Sequence, residues 1–139
     1  MEAKIKWAGE TLFLGLSGSG HGVLMDGPPE AGGQNLGIRP MEMVLIGMGG
    51  CTAYDVVSIL RKARQRVSGC EVRLEAERAQ DPPHVFTRIH VQFLLSGQDL
   101  SHEQIERAIK LSADKYCSAS IMLGKTASIT HDYTIVECS

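Results

Sequence analysis

The segment 40–66 constrains the fold most, because its pattern predicts one long helix whose first half is apolar on nearly every side. Pro40 suits the first helical turn, where its missing N–H would have no partner in any case. A helix that is apolar all round must be buried, either by its own domain or by a partner chain. The second half, 58–66, is amphipathic and cationic, which is typical of a solvated helix end. The rest of the chain, alone or with a partner, must therefore cover a central helix.

The segments on both sides of this helix predict an α+β fold of order βββαββαβ. Alternating polar and apolar residues predict the strands, and short connections favour antiparallel sheets. Ser101 is a suitable N-cap for a second, shorter helix, and Gln104 completes a capping box with it. We expect a single domain over residues 1–139, with a β-hairpin region at 1–36 and a helix-sheet core at 37–139. The predicted elements are strands at 4–7, 11–16, 21–26, 70–77, 86–95 and 127–136, and helices at 40–66 and 102–114.

Charge and hydropathy exclude several classes of protein. The chain of 139 residues carries 14 basic and 16 acidic side chains, for a net charge of −2. This balance offers no electrostatic surface for nucleic acid. The N-terminal residues lack the apolar segment of a signal peptide, and the longest apolar run, 41–48, is too short to span a bilayer. We therefore expect a cytoplasmic protein with neither a nucleic acid nor a membrane as partner, and with reduced cysteines.

Cys51 lies in an unusual helical setting, close to Gly47, Gly49 and Gly50. Each glycine inside a helix costs roughly 0.5–1 kcal/mol relative to alanine, so some other interaction must offset the loss. Helical side chains lean toward the N-terminus, which places the Cys51 thiol over the turn that contains Gly47. The open space there admits a ligand or another backbone. The alternative is close helix packing around a buried, unreactive cysteine.

The other candidate ligands and nucleophiles carry less information. Cys117 follows the second helix at an element boundary, which is compatible with a core position or with chemistry. Cys70 opens a strand and Cys138 is next to the C-terminal residue, and neither context indicates a reaction. No two histidines have the helical spacing of a metal site, so we predict none. The histidines are residues 21, 84, 90, 102 and 131.

Three segments together resemble the OsmC/Ohr family of osmotically inducible and organic hydroperoxide resistance proteins, and are closest to its YhfA-like branch. The segments are 37–45 (GIRPMEMVL), 49–57 (GGCTAYDVV) and 115–118 (KYCS). The resemblance implies an OsmC-like fold and an intertwined homodimer with two sites at the subunit interface. It also implies a peroxidase that binds no metal, haem or flavin. Cys51 would be the peroxidatic cysteine and Cys117 the resolving cysteine, with an external dithiol of the lipoyl type as reductant.

The residues that would activate Cys51 depart from the pattern of the family. Its peroxidases use an arginine from an N-terminal loop and a glutamate directly after the proline. Here no arginine precedes Arg39, and Met41 follows the proline, so that Glu42 comes one residue late. One helical residue turns a side chain by about 100°. Arg39 and Glu42 are the candidates for activation, whereas Asp55, one turn after Cys51, opposes a thiolate unless it is paired.

The resemblance predicts a thiol peroxidase that reduces organic hydroperoxides in defence against oxidative stress. Apolar residues near the cysteine fit a lipophilic peroxide, although they also fit core and dimer contacts. The alternative is a catalytically silent relative that binds a small lipophilic or thiol-reactive ligand at the dimer interface. The two retained cysteines favour the enzyme, and the missing arginine favours the binder. A purely structural dimer is a third hypothesis. The apolar residues are Met43, Ile46, Met48 and Tyr54.

Overall fold

The chain divides into two units, Met1–Ile46 and Gly47–Ser139, in the computed structural model, which describes residues 1–137. The division falls inside a continuous helix, later in the chain than the predicted boundary between hairpin region and core. Within residues 1–137, two three-stranded sheets and three α-helices confirm the α+β class.

The first unit contains an antiparallel sheet of three strands in sequential order. The strands are β1 (Ala3–Trp7), β2 (Phe13–Ser17) and β3 (Gly22–Met25). The strands are paired antiparallel, as predicted, and Ile5 lies opposite Gly15 and Gly15 opposite Val23. The alternation of polar and apolar residues predicted the strands, and the short turns between them predicted the antiparallel pairing.

Asp26 organises the loop that follows β3. Its carboxylate accepts hydrogen bonds from the hydroxyl of Thr11 at 2.5 Å and from the backbone N–H groups of Gly27, Gln34 and Leu36 at 2.8–3.1 Å. The hydrogen bond from Thr11, together with the three backbone donors, lowers the pKa of Asp26 to about 2. The loop is therefore held at both ends by a buried carboxylate.

Protonation of Asp26 is expected to destabilise the first unit at acid pH. Because the folded-state pKa, about 2, lies below the ordinary value of 3.8, the stabilisation is complete above the ordinary value and is lost as pH falls toward the folded one. Asp26→Asn should lack this component, so its stability should vary less over the same interval. Urea unfolding at a series of acid pH values, with amide exchange at Gln34 and Leu36, measures the difference. Parallel pH profiles of the two proteins would contradict the assignment.

Helix α1 (Pro40–Lys62) begins at the predicted proline but ends before the predicted residue 66. Arg64 adopts a left-handed φ of 61°, which ends the helix, and the next strand begins at Arg66. The cationic pattern of 58–66 was compatible with a helix, whereas residues 63–65 form a turn and only Arg66 belongs to the strand. The buried residues of α1 are Met48, Gly49, Thr52, Val56 and Leu60.

The second unit contains a sheet of order β4-β5-β6. The strands are β4 (Arg66–Arg78), β5 (Phe86–Gln98) and β6 (Ser128–Glu137). β4 and β5 are antiparallel as predicted, but β5 and β6 are parallel. A parallel pair needs a crossover, and the helical segment between β5 and β6 provides it. Fully buried residues of β5 form much of the core, namely Ile89, Val91, Phe93 and Leu95.

The crossover contains α2 (His102–Leu111), a π-helical turn (Ser112–Tyr116) and α3 (Ser118–Leu123), of which α3 was not predicted. The Ser101 hydroxyl accepts from the N–H of Gln104 at 3.3 Å, which confirms the N-cap. The other half of the capping box differs, because the N–H of Ser101 donates to Gln65 Oε1 at 2.8 Å. The turn that carries Cys117 therefore follows a well-anchored helix.

Helix α1 is long and apolar enough to cross a membrane by length and composition alone, with a mean hydropathy of 1.7 over 18 residues. The sequence prediction considered only the run 41–48. The core helix of a globular protein satisfies the same criterion. Thr52 on α1 is buried and hydrogen-bonded to the hydroxyl of Ser112 at 2.8 Å. This contact is what we expect of a helix that packs within a folded domain.

Candidate functional site: a dithiol beside a carboxylate

The two cysteines singled out in the sequence lie together in the second unit. The sulfur atoms of Cys51 and Cys117 and a carboxylate oxygen of Asp55 all lie within 4.8 Å of one another. Cys51 is partly exposed, whereas Cys117 is 0% exposed. The site therefore contains one accessible thiol, one enclosed thiol and a carboxylate that lies within 4.8 Å of both sulfurs.

The π-helical turn places Cys117. Its backbone N–H donates to the carbonyl of Ser112 at 2.8 Å, after which the chain is extended at Cys117 (φ −80°, ψ 100°). Cys117 is then the N-cap of α3, because its sulfur accepts from the N–H of Ser120 at 3.4 Å and from its hydroxyl at 3.0 Å. π-Helical turns within helices are frequent at functional sites. Here the turn brings the Cys117 sulfur to α1.

Cys117 is a protonated thiol at neutral pH. Burial raises the pKa of this thiol above the ordinary value of 9.0, the hydrogen bonds from Ser120 oppose the shift, and the neighbouring Cys51 adds to it. A buried anion would cost free energy that two hydrogen bonds do not fully recover. Cys117 must therefore lose a proton before it can react as a nucleophile.

Asp55 is held by a chain of buried hydroxyl groups. The hydroxyl of Ser112 donates to Asp55 Oδ2 at 3.0 Å and lies 2.8 Å from the hydroxyl of Thr52. Since Ser112 has a single hydroxyl hydrogen, which Asp55 accepts, Thr52 is the donor to Ser112. The carboxylate is fixed beside the two thiols by residues of α1 and of the π-helical turn.

Sequence reasoning found Asp55 but missed Ser112 and Ser120. The i, i+4 spacing places Asp55 on the same face of α1 as Cys51, which is a local signal. Ser112 is 57 residues from Asp55 along the chain. The contacts of Ser112 arise only when the crossover packs on α1, and Ser120 contacts Cys117 through the N-cap of α3, a helix that the sequence did not predict.

Arg39 and Glu42, the candidates for activation, belong to the first unit. The Arg39 guanidinium donates to Asn35 Oδ1 at 2.8 Å and to the carbonyl of Gly37 at 3.2 Å. Glu42 Oε1 accepts from the backbone N–H of Arg39 at 2.8 Å, which satisfies one donor before the first turn of α1. In this unit both side chains organise the entry to the helix, and their role in activating Cys51 stays a prediction.

The three glycines near Cys51 differ in what surrounds them. A Cβ atom at Gly49 would lie 2.8 Å from Leu74 Cδ1, so this glycine allows α1 to pack closely on β4. A Cβ atom at Gly47 or Gly50 would meet no atom of the chain within 4 Å. Both explanations from the sequence, close packing and open space, therefore hold at different positions.

Among the described residues 1–137, the other cysteine and the histidines are not part of this group. Cys70 is exposed on β4, and Cys138 lies outside the described residues. Within residues 1–137, Cys51, Asp55 and Cys117 form the one cluster of three potential metal-ligand side chains. The sequence prediction of no metal site weighed histidine pairs and did not consider this cluster. Structural zinc sites have four ligands, and this cluster offers three.

Comparisons with known proteins agree with this arrangement of helices and strands. The profile of the OsmC family, described as OsmC-like protein, matches residues 32–132. Protein YhfA of Escherichia coli K12 is 49% identical over 139 residues, which cover 98% of both chains. A crystal structure of a hypothetical protein from Aquifex aeolicus has 26% identity and a TM-score of 0.87, covering 99% of this chain and 97% of that one. An organic hydroperoxide resistance protein OsmC from Legionella pneumophila has 13% identity and a TM-score of 0.71, covering 96% and 95%.

Proposed function

Since the chain belongs to the OsmC-like protein family, we propose that it is a cysteine-based thiol peroxidase that reduces organic hydroperoxides in defence against oxidative stress. The observation that supports this function most directly is the approach of the Cys51 and Cys117 sulfurs to within 4.8 Å. A disulfide requires about 2 Å between sulfurs, a change that side-chain rotation can supply. Disulfide formation and reduction at this pair would return the site to its starting state.

The chemistry divides between the two thiols. The Cys51 thiolate attacks the distal oxygen of the hydroperoxide, the O–O bond breaks, and the alkoxide leaves and takes a proton to become an alcohol. Cys51 is then a sulfenic acid. The Cys117 thiol attacks its sulfur, forming the S–S bond and releasing the sulfenic oxygen as water. An external dithiol of the lipoyl type reduces the disulfide.

The exposure of each thiol supports this assignment. A peroxidatic cysteine must meet its substrate, and Cys51 is the partly exposed member of the pair. A resolving cysteine has only to reach its partner, and Cys117 is enclosed beside it. The reverse assignment would require a peroxide to reach a sulfur that has no exposed surface.

The test is to treat the reduced protein with one equivalent of cumene hydroperoxide and record intact mass and peptide maps. We expect a loss of about 2 mass units that maps to a Cys51–Cys117 disulfide. The loss should persist in Cys70→Ser, the matched control, and be absent from Cys51→Ser. An unchanged mass under conditions that rapidly oxidise a known thiol peroxidase would contradict the proposed function.

A homodimer is part of the proposal. Several large apolar side chains of α1 are exposed in the single chain, with Ile46 60% and Tyr54 77% exposed. A helix face of this kind is expected to be covered in solution, and a second copy of α1 offers the same apolar surface. The open space at Gly47 and Gly50 would let another chain approach closely.

One observation favours the second candidate function, a catalytically silent protein that binds a small lipophilic or thiol-reactive ligand. A cleft of about 710 Å³ in the second unit is lined by Gly50, Ala53, Tyr54, Val57 and Cys70, among others. Apolar clefts of this size bind small ligands in many proteins. An unchanged mass after peroxide treatment, together with binding of an apolar fluorescent probe that Tyr54→Glu abolishes, would support this function instead.

A further inference from the structure

We propose that Asp55 accepts the proton of the Cys117 thiol when this thiol attacks oxidised Cys51, and so acts as the base of the resolving step. In this step the S–H bond of Cys117 breaks and its electron pair forms the S–S bond. The S–O bond of the Cys51 sulfenic acid breaks at the same time. The proton passes through Asp55 to the departing hydroxide, which leaves as water, and no further oxidant is consumed. The inference rests on the proposed function for its substrate, the sulfenic acid.

The position of the carboxylate supports this role. A carboxylate oxygen of Asp55 lies within 4.8 Å of both sulfurs, so one small movement brings it to the thiol and to the leaving oxygen. The Cys117 sulfur already accepts hydrogen bonds from the N–H and the hydroxyl of Ser120. Its own proton therefore needs an acceptor elsewhere, and solvent cannot reach a thiol that is 0% exposed.

The surroundings of Asp55 hold it ready for proton transfer. Ser112 and Thr52 are both fully buried, and their hydroxyl groups form a directed chain that ends on Asp55 Oδ2. A carboxylate has about four lone-pair sites, so the bond from Ser112 leaves it able to accept a proton. The chain of hydroxyl groups therefore fixes the position of the Asp55 side chain.

The state of Cys117 creates the requirement for a base. Because burial raises the pKa of this thiol, it does not ionise unaided at neutral pH. General bases typically contribute factors of about 10² to 10⁴ to a rate. Loss of the carboxylate should therefore slow the resolving step and should not slow the oxidation of Cys51 to sulfenic acid.

The first experiment separates the two steps after mixing with cumene hydroperoxide, using a Cys70→Ser, Cys138→Ser background. A dimedone-type reagent traps sulfenic acid, and mass spectrometry follows the disulfide. We expect Asp55→Asn to form sulfenic acid at least as fast as the parent, since a negative charge beside the attacking thiolate is removed. Its conversion to the disulfide should be on the order of a hundredfold slower. Asp55→Glu should recover part of the rate of disulfide formation. The control is Asp99→Asn, which removes an exposed carboxylate paired with Arg66 and should change neither step.

The second experiment needs no peroxide. An aromatic disulfide whose thiolate product absorbs visible light reacts first with Cys51, and Cys117 then displaces a second thiolate from the mixed disulfide. The first release reports the reactivity of Cys51 in each variant, and the second reports the attack by Cys117. Slow second release in Asp55→Asn, with recovery in Asp55→Glu, supports the inference. Equal second-release rates in the parent and Asp55→Asn would overturn it.

Together, the two experiments distinguish a wrong peroxidase function from a wrong role for Asp55. If the parent forms no sulfenic acid, the proposed peroxidase function is wrong, and the aromatic disulfide alone decides whether Asp55 deprotonates Cys117. If sulfenic acid forms and both variants resolve it at the parent rate, the function stands and the role of Asp55 is wrong.

Discussion

Cys117→Ser is expected to drive Cys51 to sulfinic and sulfonic acid when an organic hydroperoxide is supplied in excess, whereas the unmodified protein stops at the disulfide. The reason is that the serine hydroxyl cannot condense with a sulfenic acid, so a second and a third hydroperoxide molecule oxidise the sulfenic acid further. The higher acids are not reduced by dithiols. We expect mass gains of about 32 and 48 units on the peptide that contains Cys51, and at least about tenfold fewer turnovers before inactivation.

Intact mass against time, with a dithiol present and absent, measures this outcome. Cys70→Ser is the matched control, because it removes an exposed thiol of the same unit and should retain the disulfide chemistry. Cys51→Ser should gain none of this mass and show no turnover. If Cys117→Ser instead remained fully active without over-oxidation, a resolving thiol other than Cys117 would have to act on Cys51.

The local parts of the fold could be predicted from the sequence. Pro40 begins α1 and Ser101 caps α2 as expected, because each depends on hydrogen bonds within a few residues. The end of α1 could not be predicted in the same way. Residues 63–66 carry no glycine or proline to mark the turn, and the left-handed conformation of Arg64 is imposed by the return of the chain into β4.

The direction of β6 shows a second limit of local patterns. Alternation predicts that a strand exists, but not which neighbour it pairs with or in which direction. Its parallel pairing with β5 follows from the crossover through α2 and α3. A third helix in that crossover was missed because it is only six residues long and begins at Cys117, which is a rare N-cap.

The candidate site was predictable to a similar extent. The resemblance of two short motifs identified Cys51 and Cys117, and helical spacing identified Asp55 as a neighbour of Cys51. The residues that tune these groups were not predictable. Ser112 contacts Thr52 across 60 residues of sequence, and a contact of this kind leaves no periodic signal. The sequence thus indicates which groups are candidates for the chemistry, and only tertiary packing shows that the two sulfurs and the Asp55 carboxylate lie together.

Ile46→Glu is expected to convert the proposed homodimer into a monomer. Ile46 is 60% exposed in the single chain and lies on the apolar first half of α1, next to Gly47, where added atoms meet nothing in the chain. A carboxylate on this face would be buried without a partner on association, but would remain hydrated in the monomer. Uncompensated burial of a charge costs about 3–5 kcal/mol, which corresponds to a dissociation constant larger by a hundredfold or more.

Sedimentation equilibrium over a range of protein concentrations measures this change, and Ile46→Leu is the control that keeps the surface apolar. Both variants should keep the far-ultraviolet spectrum of the parent, because the substituted side chain is largely exposed in the monomer. If the parent is monomeric at micromolar concentrations, the homodimer proposal is wrong. If Ile46→Glu is still a dimer, the interface lies on a face that does not include Ile46. If the monomeric variant still forms the Cys51–Cys117 disulfide at the parent rate, the resolving chemistry is complete within one chain, as the contacts of Asp55, Ser112 and Cys117 in a single unit lead us to expect.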